Sequence, residues 1–252
     1  MKKIVLLCLA VVFLFGSEHR YRKYIHVKEF IKPLAQKSIE MGEKYNVPPA
    51  AILAIASVES GYGRGYVASL SGNILSLGAN KGEKMLPPLY LPNIKEPYKI
   101  IYNPNEIAKY EKSELRYKTR AKSLKKDYRP LPYAGTSDNL EYFDKNPKDK
   151  VNANMSCIED FCTVWISESY KYEPFKKARI DLNKRVTNSG KDSLFSEATS
   201  EELIKNIGGK PLSFNYRETW PKKVIAVMKN VGLVELLKDM KSGKNFEEAW
   251  KQ

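Results

Sequence analysis

One carboxyl group stands out by its position. Glu59 follows the apolar residues Ile52, Leu53, Ile55 and Val58. On a helix it shares a face with Ile52, Ile55 and Ala56. A carboxylate on an apolar stripe is costly to desolvate, so such a group holds its proton. A glutamic acid protonated near neutral pH can act as a general acid. The plainer reading is a helix-end glutamate at the surface, paired with one of many lysines. Glu114 is a candidate second carboxylate. Ile107, Tyr110, Glu114, Tyr117, Ala121 and Leu124 recur at steps of three and four, which predicts a helix over 105–124 carrying Glu114 on its stripe. A partly exposed glutamate among lysines is the commoner meaning of that pattern. Glu106 and Glu111, on the same stretch, have no stronger claim.

Other arrangements point away from chemistry. Gly61, Gly63 and Gly65 mimic a phosphate-binding loop, but a helix precedes them and no lysine-serine pair follows. His19, His26 and the cysteines show no metal-ligand spacing, so no metal site is expected.

The element that must position Glu59 is a helix over 47–60. Pro48 and Pro49 fit its first turn and Gly61 fits its C-terminal cap. Its residues are almost wholly apolar, which predicts burial. A first helix is expected over 27–45, with Phe30, Leu34, Met41 and Tyr45 on one stripe and Pro33 either kinking it or marking its first turn. Residues 79–155 differ in composition: eight of the 14 prolines fall between Pro87 and Pro147, among dense tyrosines and lysines. Val151–Met155 reads as a strand. Ser156 reads as the N-cap of the next helix, Ser200 as the cap of a short helix over 200–207. Trp220 to about Asp239 reads as one longer helix with Val224, Val227, Met228 and Val231 inward.

A chain of 252 residues, 42% hydrophobic, suits one domain with a large insertion. The formal charge of +14 biases it toward polyanions, such as an anionic membrane or acidic wall polymers. No nucleic-acid module is recognisable, and nucleic acid is not an expected partner. Residues 1–17 read as an export signal: Lys2 and Lys3, then an apolar run from Ile4 to Phe15, then Gly16-Ser17. That run is shorter than a membrane span, and the alternative to cleavage is an uncleaved anchor. In an exported chain Cys157 and Cys162 suggest one disulfide, although five residues apart on a regular helix they would point apart.

Asn46-Val47-Pro48-Pro49, Glu59-Ser60-Gly61-Tyr62-Gly63 and Gly72-Asn73-Ile74-Leu75-Ser76-Leu77-Gly78, in that order, resemble the glucosaminidase family of glycoside hydrolases, which includes flagellar and Bax-type peptidoglycan hydrolases. Tyr172-Glu173-Pro174-Phe175-Lys176-Lys177-Ala178-Arg179 is similar to a later family element. Two departures are visible: Tyr62 stands for a usual tryptophan, and Ser76-Leu77 for a usual Phe-Gly. The resemblance covers roughly 27–80 and 140–232. It implies a mainly α-helical, lysozyme-like core with a small β-lobe in the variable middle. It implies cleavage of the β-1,4 bond between N-acetylglucosamine and N-acetylmuramic acid, with Glu59 as acid and with no metal or organic cofactor needed. Tyr62, Asn73, Ser76, Tyr172 and Phe175 become candidate substrate contacts, and Trp165 could line the same cleft. For the aromatic residues, core packing is the competing reading. The family places a tyrosine ahead of the helix at Trp220; here that position holds Phe214, so a phenol would come from Tyr216, which also reads as a rim tyrosine. Three outcomes stay open: a hydrolase, a lytic transglycosylase, or an inactive wall-binding protein of the same fold.

Overall fold

A helix with almost no polar face can only be stable inside other helices. The computed structural model, which describes residues 19–79, 90–94, 99–101, 104–111, 113–119, 125–136 and 141–251, builds the molecule around such a helix. The chain enters through α1 (Ile25–Tyr45) and turns at Asn46 in a left-handed conformation into α2 (Pro49–Ser60). Every residue of α2 from Pro49 to Ser57 is buried. Pro33 lies inside α1 on an exposed position, and the helix runs on past it. A short α3 (Tyr66–Ser71) follows, and then β1 (Tyr90–Ile94), β2 (Lys99–Ile100), α4 (Pro104–Ile107) and β3 (Arg116–Thr119). The strands form an antiparallel sheet in the order β2-β1-β3, with Asn93 opposite both Ile100 and Arg116. Then come α5 (Tyr142–Lys145), α6 (Pro147–Asp160), a π-helical turn at Phe161–Trp165, and α7 (Glu173–Ser189). The chain ends in α8 (Glu197–Ile207), α9 (Trp220–Val231), α10 (Leu233–Lys241) and α11 (Phe246–Trp250). The fold is mainly α with a small β element in the middle, as expected.

α1, α9, α8 and α10 all pack on α2, and one buried cluster runs from Val27 to Trp250. Val224, Val227, Met228 and Val231 face it, as their spacing predicts. Arg179 fastens several pieces together. Its guanidinium is buried and donates to the carbonyls of Tyr45, Cys162 and Ile166, at the ends of α1 and of the π turn. Such charge-assisted bonds offset the cost of burying the cation. In the Tyr-x-x-Phe-x-x-x-Arg element, therefore, the arginine is a structural clasp.

Several local expectations are corrected. No helix spans 105–124: α4 is one turn, Glu114 sits in a turn, and β3 pairs with β1. The stripe positions Tyr110 and Tyr117 and the neighbouring Thr119 suit a strand as well as a helix; Ala121 and Leu124 lie outside the described residues. Val151–Met155 is helical, within α6, where Val151, Met155 and Ile158 take the i, i+4, i+7 face. Ser156 consequently sits mid-helix. The cap of α8 is Ser196, whose oxygen accepts from the Thr199 N–H at 3.1 Å, rather than Ser200. Gly232, at φ 65°, divides 220–241 into two helices, because a left-handed residue cannot continue the helical ladder. Cys157 and Cys162 are free, buried thiols, not a disulfide. Both lie on continuous helical backbone, which directs them apart. The export segment at 1–17 and Cys8 lie outside the described residues. No helix among the described residues is long and apolar enough to cross a membrane.

Candidate functional site

Glu59 is the penultimate residue of α2 and is half-buried rather than fully enclosed. The turn after it is built to fold back. Gly61 takes φ 56° and Gly63 φ 73°, values that glycine accepts without a Cβ penalty. The Ser60 hydroxyl donates to the Ala56 carbonyl at 2.6 Å and accepts from the Gly63 N–H at 2.8 Å. The Gly65 N–H returns to the Ser60 carbonyl at 2.8 Å. These bonds turn the chain directly into α3 and leave Glu59 facing the space between them.

That space is a cavity of about 210 Å3. Glu59, Ser60, Tyr66, Asn73, Ser76 and Lys125 are among its lining residues. Asn73 shapes the far wall. It is 1% exposed, and its amide closes the 73–77 turn. Its Oδ1 accepts from the Leu77 N–H at 2.8 Å, and its Nδ2 donates to the carbonyls of Leu77 at 2.8 Å and Lys126 at 3.0 Å. Ser76 takes the left-handed φ of 58° within this turn and Leu77 is fully buried.

The same bonds bring in a residue the sequence did not flag. Residues 125–128 lie along 71–78, through the Lys126 N–H to the Leu77 carbonyl at 2.9 Å and the Tyr128 N–H to the Ser71 carbonyl at 2.8 Å. The Lys126 ammonium and the Tyr128 hydroxyl both donate to Asp160 at 2.6 Å, anchoring this segment on α6. Lys125 is thereby placed at the pocket, where its ammonium donates to the Ser76 carbonyl at 2.6 Å. Burial lowers its pKa from the ordinary lysine value, and the Glu59 carboxylate pulls it back up. The pocket thus brings together the carboxyl group of Glu59 and the side-chain nitrogen of Lys125.

Trp220 is the second residue that sequence reasoning missed as a site residue. Its indole N–H donates to Glu59 Oε1 at 2.7 Å. The ring is 4% exposed. Gly208 leaves room for it: a Cβ at that position would stand 2.1 Å from Trp220 Cε3. Phe214 packs against the same ring, with centroids 5.6 Å apart, and itself meets Phe161 edge-on at 5.7 Å. An aromatic residue at a helix start reads as core; only the fold shows that its one polar atom reaches Glu59.

The remaining candidates divide. Tyr62 is half-buried against His26 and Phe30, at centroid distances of 5.5 and 6.1 Å, and lines a neighbouring cavity instead of this pocket. Phe175 is 0% exposed and serves the core, where no ligand reaches it. Tyr172, half-buried, precedes α7 and packs on Tyr170; Trp165 is enclosed by Tyr170, Phe175 and Phe214. Tyr216 is 71% exposed in the loop before α9 and is not part of the pocket lining. Glu114 is exposed and accepts from the Glu111 N–H at 2.8 Å, and it too does not line the pocket. No cluster of three or more potential metal ligands occurs among the described residues.

No protein-family model matches the chain, and no curated protein matches it. Among solved structures it is similar to the catalytic domain of the autolysin Auto from Listeria monocytogenes, at 11% identity and a TM-score of 0.42, over 84% of this chain and 87% of that one.

Proposed function

We propose that this protein is an exported glycosidase of the bacterial cell wall that cleaves peptidoglycan glycan strands, with Glu59 donating the proton to the glycosidic oxygen of the leaving sugar. The observation that carries the reading is the setting of Glu59: a carboxyl group at the mouth of a helix, oriented by the Trp220 N–H at 2.7 Å and open to a pocket. A proton donor must be held in one direction to be effective, and a fixed hydrogen-bond partner does that. The substrate class rests on the ordered motifs around Glu59 and on the basic surface, which favours anionic polymers.

Within this reading the 73–77 turn forms the wall against which the sugar lies. Lys125 meets an acidic group of the glycan. An ammonium does not stabilise an oxocarbenium ion, so that task falls to the substrate's own acetamido group. Glu114 and Tyr216 receive no step.

Mass analysis of fragments released from purified cell walls tests the proposal. Reducing ends that have gained water support hydrolysis between the two amino sugars. An anhydro-muramic end would replace hydrolysis with a lytic transglycosylase. Binding to walls without any released fragment would leave only a wall-binding protein.

A further inference from the structure

A second cavity, about 410 Å3, lies on the other side of the 61–65 turn, between α1 and the first turns of α6. Its lining excludes Glu59 and the other residues of the smaller pocket. Its walls are apolar and aromatic, from Phe30, Pro33 and Tyr62. Charge is distributed unevenly around them. Arg64 and Lys150 stand on the turn and on α6, and Glu29 stands on α1. Between these sides lies Asn154. It is 6% exposed, and its side-chain carbonyl has no hydrogen-bond partner. A buried amide left unpaired costs free energy that a ligand can recover. The N-terminal dipole of α6, which has no side-chain cap, adds to the positive side, while Asp149 in its first turn, which accepts from the Tyr142 hydroxyl, subtracts from it.

From this arrangement we propose that the cavity is a binding site for a short peptide with a free carboxylate. Arg64 and Lys150 take the carboxylate, Asn154 pairs with a peptide amide, and Tyr62 and Phe30 cover small apolar side chains. An inorganic anion would use only the cations, and a neutral sugar would use neither charge. Only a peptide uses the cations, the amide, the apolar walls and the carboxylate of Glu29, which suits an ammonium or N–H. If the glycosidase reading holds, the peptide arms of a bound wall strand are a source of this ligand beside the scissile bond. Free peptides carry the same chemistry.

The test is titration of the full chain, labelled with 15N, with tri-alanine, its C-terminal amide and sodium acetate. Tri-alanine is expected to shift resonances of Tyr62, Arg64, Lys150 and Asn154. The amide form should bind more weakly, and Lys150→Glu should weaken tri-alanine at least about tenfold. Lys150 is a half-buried surface position, so the variant is expected to fold; Arg64→Glu provides an independent second variant. Glu59→Gln must leave peptide binding unchanged, which separates this site from the glycosidase reading. Equal binding of the amide, shifts equal to those from acetate alone, shifts centred on Glu59 and Lys125, or indifference to both charge reversals would each overturn the proposal.

Discussion

The Trp220 indole N–H donates to Glu59 Oε1 at 2.7 Å, tying the first residue of α9 to the last turn of α2 across 161 residues of sequence. A pocket carboxyl group that would otherwise rotate about its χ angles is held in one orientation by a ring packed in the core. The bond also makes Glu59 sensitive to changes that never touch the pocket.

Trp220→Phe keeps an aromatic ring, deletes the donor and empties part of the space the indole fills. Its expected stability cost is about 1–3 kcal/mol, from the lost bond and the cavity together. Wall cleavage measured on the folded fraction should fall about tenfold, because a proton donor without its fixed partner is misdirected. The rate of fragment release and urea denaturation of the same preparation check the two halves of this prediction.

Gly208→Ala reaches Glu59 indirectly. The added Cβ would stand 2.1 Å from Trp220 Cε3, a distance that atoms do not tolerate, so the ring must move. We expect a loss of about 1–3 kcal/mol, typical of overpacking, and a shifted Trp220 indole N–H resonance. An unchanged resonance would mean that the ring is not seated against Gly208.

Much of this architecture was legible from residue order. The apolar run of α2, its proline entry and its glycine exit predict both the helix and its burial, because each is a local signal. The positions Val224, Val227, Met228 and Val231 were read correctly for the same reason. The middle of the chain was not legible. Tyr110, Glu114 and Tyr117 recur at helical spacing, but tyrosine suits a strand as well, and the pairing of β3 with β1 is a tertiary contact that overrides the local pattern. Lys125 and Trp220 were missed as site residues because their roles are tertiary. Lys125 depends on a backbone bridge to Gly78, and Trp220 depends on a gap left by Gly208.

Asn73→Ala tests the pocket wall. The substitution strips four hydrogen bonds, one of them from the Cys157 thiol, from a largely buried turn and leaves the Leu77 N–H and the Lys126 carbonyl short of partners. The expected cost is about 2–4 kcal/mol. Faster hydrogen exchange at Leu77 and Lys126 should accompany it, since both amides belong to that wall.

The buried thiols predict a stability loss at alkaline pH. Burial pushes Cys157 and Cys162 up to about 12, from the ordinary value of 9.0. The unfolded chain releases these protons first, so stability is intact below about pH 9 and falls as pH rises toward about 12. At about pH 10.5 each thiol should cost about 2 kcal/mol relative to about pH 8. Burial raises the Tyr62 phenol to about 12 and acts in the same direction, while lowered Lys125 acts in the opposite one. Urea denaturation at the two pH values measures the sum. Alkylation of Cys157 and Cys162 only after unfolding would confirm that both are free and enclosed.

The proton donor itself is tested most directly by Glu59→Gln. Glutamine keeps the shape and can still accept from Trp220, but it has no acidic proton to give. With circular dichroism and urea stability matching the parent, release of soluble fragments from purified cell walls should fall by about a hundredfold or more. A folded Glu59→Gln protein that releases fragments as fast as the parent would contradict the account.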